Sequence, residues 1–81
     1  MKVTLKLFAT LRERARTSEM RREIGDGATV GEIWRRLVEE FPALAGNDES
    51  VAFAVNREYV EADFRPRDGD EVAFIPPVCG G

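Results

Sequence analysis

Residues 2–8 alternate cleanly, with Val3, Leu5 and Leu7 on one side and Lys2, Thr4 and Lys6 on the other. That period of two predicts a half-buried strand. Residues 9–16 lose the alternation and read as a polar connection with a helical turn. Residues 19–24 predict a second strand, hairpin-paired with the first, with Met20 and Ile24 its only strongly apolar members. Gly25-Asp26-Gly27 is a turn. Thr29 and Glu32 then form a Thr-x-x-Glu capping box ahead of an apolar run. Val30, Ile33, Trp34, Leu37, Val38 and Phe41 fall on one helical stripe, which Pro42 ends. Residues 43–50 read as a loop with a short helical turn near Leu44. Val51, Phe53 and Val55 alternate with Ala52, Ala54 and Asn56, predicting a third strand. Tyr59-Val60 adds a short edge segment, a loop runs through Pro66, and Asp68-Gly69-Asp70 turns into a last strand over 71–75. The order is β-β-α-β-(β)-β, an α+β chain whose mixed sheet packs on one main helix.

Strand parity has a further consequence. If Val3, Leu5 and Leu7 face the helix, Phe8 faces away from it. Placing Val72 and Phe74 in the core puts Ala73 and Ile75 outside, and inward Val51, Phe53 and Val55 put Ala52 and Ala54 outside. The outer face then carries Phe8, Ile75 and alanines where charges would be expected. An apolar cluster on so small a surface predicts a docking site for a partner.

The 81 residues allow one domain with a modest core and little room for a buried cleft. A net charge of −3 argues against nucleic acid as the main partner. Arg12, Arg14 and Arg16 still offer a local meeting point for an acidic protein. No secretory core or bilayer-length apolar run is present, so a cytoplasmic, membrane-free protein is expected. The chain lacks histidine, which excludes His-based triads and most zinc sites. Its one cysteine forms no internal disulfide. Gly25-Asp26-Gly27 lacks the Gly-Lys-Ser/Thr of a phosphate loop. Glu39 and Glu40 read as exposed rather than as a catalytic pair, and Trp34 as core. No metal or cofactor is expected to be bound by this chain itself.

The most informative stretch is the end, Pro76-Pro77-Val78-Cys79-Gly80-Gly81. Two prolines favour an extended approach away from the body, and two glycines make a tip without side chains. Such a tip can carry a terminal carboxylate down a narrow channel. We therefore divide the chain into a folded domain over 1–75 and an extended tail over 76–81. Cys79 is read as a small filler; a thiol attacking an activated Gly81, or forming a persulfide, is the competing reading.

The run from Asp68 to Ile75 followed by Pro-Pro-Val-x-Gly-Gly resembles the C-terminal signature of the molybdopterin synthase small-subunit (MoaD) family. Leu7-Phe8-Ala9 with Leu11-Arg12-Glu13, and Ala54-Val55-Asn56, resemble it too, so the likeness spans the chain. The resemblance implies a ubiquitin-like β-grasp fold and a sulfur carrier. An ATP-dependent adenylyltransferase resembling ubiquitin-activating enzymes would convert the Gly81 carboxylate to a glycyl adenylate, the only nucleotide-bearing state expected here. A sulfurtransferase would then leave a C-terminal thiocarboxylate. The loaded tail would enter the large subunit of molybdopterin synthase and give sulfur to cyclic pyranopterin monophosphate. The catalytic groups would sit on that large subunit, within a hetero-oligomer. Family docking positions map onto Phe8, Arg12, Tyr59 and Ile75. Three alternatives stay open: a carrier for thiamine or tRNA thiolation, a ubiquitin-like modifier joining Gly81 to lysines, and a passive interaction domain.

Overall fold

The main helix starts where its first three free amide groups find acceptors. A computed structural model describes residues 1–46 and 51–77, and α2 runs over Val30–Glu40. The Val30 N–H donates to the Phe64 carbonyl at 2.9 Å and the Gly31 N–H to the Ala62 carbonyl at 2.9 Å. The Glu32 N–H donates to Thr29 Oγ1 at 3.1 Å, as the capping box predicts. The loop before the last strand thus closes the helix start. A Cβ at position 31 would lie 3.1 Å from the Ala62 oxygen, so this close approach suits glycine. At the other end the Phe41 N–H reaches the Leu37 carbonyl at 2.8 Å, and Pro42–Leu44 form a 3₁₀ turn that buries Leu44.

The strands are β1 (Lys2–Leu7), β2 (Glu19–Glu23), β3 (Ala52–Val55), β4 (Glu58–Val60) and β5 (Glu71–Ile75). They lie in the order β2-β1-β5-β3-β4. β1 and β5 are parallel, and the other neighbours antiparallel. Leu5 pairs with Val72 and Leu7 with Phe74, while Phe53 pairs with Phe74 and Val55 with Val72. All these side chains therefore share one face. Val3, Leu5, Leu7, Val72 and Phe74 are at most 2% exposed there, packed with Val30, Ile33, Trp34 and Leu37 of α2. Trp34 stacks tilted on Phe74 at 5.2 Å and Phe53 meets it edge-on at 5.8 Å, so Phe74 is the centre of the core. This is the ubiquitin-like β-grasp that the resemblance implies, and it agrees with the mixed sheet on one helix read from the element order.

One element departs from expectation. Residues 9–16, read as a polar connection with a helical turn, hold a longer, two-turn helix, α1 (Ala9–Ala15). Leu11 and Ala15, four apart, are its buried stripe, and Leu11 is completely covered. Arg16 ends it in the left-handed region at φ 59°. Elsewhere the expected turns hold: Gly69 sits at φ 86° between Asp68 and Asp70, and Asp68 accepts the Lys2 N–H at 2.6 Å. Glu39 and Glu40 are both exposed, with Glu40 paired to Arg22. The expected loop over residues 47–50 lies outside the described residues.

Candidate functional site

The register places one row of side chains across the whole outer face. Glu19 lies opposite Lys6, Lys6 opposite Ala73, Ala73 opposite Ala54, and Ala54 opposite Tyr59. Ala52 and Ile75 pair in the next row, and Phe8 follows the end of β1. The row is high at its edges and low in the middle, because two alanines occupy its centre. The result is an open depression of about 410 Å³ lined by Lys6, Phe8, Ala54, Arg57, Tyr59, Glu71, Ala73 and Ile75.

Phe8, Tyr59 and Ile75, singled out from sequence, thus come together around this depression. Phe8 is 44% exposed and Tyr59 75%, a large apolar outlay for a chain of this size. Parity alone left Tyr59 unplaced; its pairing with Ala54 assigns it to this face. Ala54 and Ala73 were expected to add exposed apolar surface. They point outward, yet are only 5% and 7% exposed, because their larger neighbours wall them in. They form a floor. Arg12 is exposed on α1, and is not among the described residues that line the depression.

Local hydrogen bonds set the rim. The Phe8 N–H donates to the Phe74 carbonyl at 3.3 Å, and Phe8 in turn accepts the Leu11 N–H at 3.1 Å. Phe8 is therefore held between β5 and α1. Ala9, directly after it, has φ 50°. On the opposite rim Asn56 and Arg57 form the β3–β4 hairpin turn at φ 50° and 70°. The Asn56 side chain ties that turn to β5: its Nδ2 donates to Asp70 Oδ1 at 3.0 Å and its Oδ1 accepts the Glu71 N–H at 3.0 Å. Lys6 bridges Glu71 at 3.1 Å and Glu19 at 3.8 Å. Sequence reasoning missed Lys6, Asn56, Arg57 and Glu71 as parts of the site. Parity was the available signal for Lys6 and Glu71, which share the face of Ala73.

β5 leads directly from the depression to the tail. Ile75 is half-buried on the outer side, Pro76 is buried, and Pro77 is exposed. Val78, Cys79, Gly80 and Gly81 lie outside the described residues. Among the described residues no group of His, Cys, Asp or Glu is arranged to hold a metal ion, and no helix is long and apolar enough to cross a membrane.

The ThiS family model matches residues 5–81 of the chain. The molybdopterin synthase sulfur carrier subunit of Chlamydomonas reinhardtii is 39% identical over 83 residues, covering 100% of both chains. Small archaeal modifier protein 3 of Haloferax volcanii is 38% identical over 92 residues, again covering 100% of both. Among solved structures, SAMP1 from Haloferax volcanii superposes with a TM-score of 0.85 at 34% identity, covering 100% of each chain.

Proposed function

The chain belongs to the ThiS family, and from that premise we propose that it is the sulfur carrier subunit of molybdopterin synthase. The observation that carries this reading is the end-to-end similarity to the Chlamydomonas sulfur carrier subunit, together with the Pro-Pro-Val-Cys-Gly-Gly ending. The folded body is the handle, and the Gly81 carboxylate is the loading point.

The chemistry explains why helpers are needed. An α-carboxyl has a pKa near 3.5, so at neutral pH Gly81 is an unreactive anion. In the first step its oxygen attacks the α-phosphorus of ATP on an adenylyltransferase, releasing pyrophosphate and forming an acyl adenylate. The terminal sulfur of a persulfide on a sulfurtransferase then attacks the acyl carbon, and AMP leaves with the C–O electron pair. A second thiol cleaves the resulting acyl disulfide, forming a disulfide with the donor and releasing the thiocarboxylate. The thiocarboxylate is a soft nucleophile on a thin arm, suited to entering the large subunit and attacking cyclic pyranopterin monophosphate. Positioning and proton transfer belong to that subunit, since this chain offers no histidine. The depression around Phe8, Tyr59 and Ile75 is the face that seats the large subunit, and Arg12 supports the contact from α1.

A second reading rests on the 38% identity to small archaeal modifier protein 3. There the activated Gly81 would pass to a lysine amine, forming an isopeptide bond. Intact-mass measurement on the chain from its native host separates the two. The carrier reading expects one oxygen replaced by sulfur at Gly81. Tryptic peptides of the lysate carrying the branch 68–81 on lysines, the piece left after cleavage at Arg67, without that species, would overturn it in favour of the modifier.

A further inference from the structure

We propose that Arg57 is a specificity-determining residue, one that reads a carboxylate on the protein seated in the depression. The inference rests on the carrier reading and adds to it a residue that neither parity nor the tail singles out. Arg57 is the second residue of the β3–β4 turn, at φ 70°, where a two-residue hairpin with both φ values positive favours glycine. An arginine in that conformation is a departure from local preference, and such departures concentrate where function holds them in place. Its position fits that account, because Arg57 stands on the rim of the depression beside Tyr59.

Charge points the same way. Among the described residues two cations, Lys6 and Arg57, and one anion, Glu71, line the depression, on a chain of net charge −3. Lys6 is engaged by Glu71 and Glu19. Arg57 has no ion pair or hydrogen bond among the described residues. Among the described residues that line the depression, the uncompensated charge is therefore the Arg57 guanidinium, whose planar donor fork suits a carboxylate. The occupant is a protein surface that lays an apolar side chain over Ala54 and Ala73 and sets an acidic residue against Arg57. A phosphate polymer fits less well, since exposed Phe8 and Tyr59 offer it no charge and the chain as a whole repels it.

The test measures binding of the full chain to the large subunit of molybdopterin synthase from the same organism, by calorimetry at low and moderate salt. Arg57→Gly should melt no lower than the wild type, because it suits the turn, yet bind about fivefold more weakly with a flatter salt dependence. Arg57→Glu should bind more weakly still, and Arg57→Lys, which keeps the charge but not the fork, should fall between the wild type and the glycine variant. Glycine and glutamate variants binding like the wild type, with the same salt response, would overturn the proposal. So would weak binding by Arg57→Gly that tracks a lowered melting temperature, with Arg57→Lys equally weak, since the residue would then be structural. A wild-type chain that does not bind the large subunit sinks the carrier reading itself, and the inference with it.

Discussion

Replacing Asn56 tests whether the rim of the depression is held by the bonds described. Asn56→Ala removes the donor to Asp70 Oδ1 and the acceptor for the Glu71 N–H, both 3.0 Å long. At about 0.5–1 kcal/mol for each exposed bond, the loss is about 1–2 kcal/mol. Alanine must also hold φ 50°, a region that asparagine tolerates and alanine resists by about 1 kcal/mol. Asn56→Ala should therefore cost about 2.5 kcal/mol. Asn56→Gly loses the same two bonds but meets no left-handed penalty; its greater freedom when unfolded returns part of that gain. It should cost about 2 kcal/mol. For a domain of this size the alanine variant should melt about 10–20 °C lower than the wild type. Urea unfolding followed by Trp34 emission is a direct assay, because the single tryptophan is 3% exposed against Phe74. An alanine variant as stable as the glycine variant would refute the backbone part of the reasoning. Losses below about 0.5 kcal/mol in both would refute the clamp.

Two further substitutions address the helix that sequence patterning did not show and the floor of the depression. Leu11→Ala should destabilise the chain by about 3 kcal/mol, since Leu11 is fully covered; a loss typical of an exposed site would mean α1 does not pack as described. Ala73→Leu should leave thermal stability within about 1 kcal/mol, because its Cβ points to the open outer face. The same change should weaken binding to the large subunit about tenfold or more, read by calorimetry, by filling the depression. Unchanged binding would place the docking surface elsewhere.

The parts legible in the sequence were those with a period. Alternation in β1, β3 and β5 and the stripe in α2 oriented the core, and the same alternation placed Phe8 and Ile75 on the opposite face. The helix α1 was not legible because it buries only Leu11 and Ala15 and its N-cap residue, Phe8, makes no side-chain capping bond. Neither a stripe nor a cap marked it. Tyr59 was ambiguous for a related reason: β4 is three residues long, too short for a period, and only its pairing with β3 fixes its face. Burial of Ala54 and Ala73 depends on how tall their neighbours are across four strands, a quantity that no single segment encodes.

Strand β5 joins the site to the core, and its place in the sheet explains how a small domain can hold a reactive end. It is the central strand, bonded to β1 on one side and β3 on the other, so displacing it means breaking two ladders. Its even positions, Val72 and Phe74, carry the core, and the buried Pro76 continues that side. Its odd positions, Ala73 and Ile75, belong to the depression. A partner seated on Ala73 and Ile75 therefore rests on the strand from which the chain departs at Pro77. The depression and Pro77 are held in one register by the packing of Phe74, so on the proposed reading a protein seated there lies beside the point from which residues 78–81 follow.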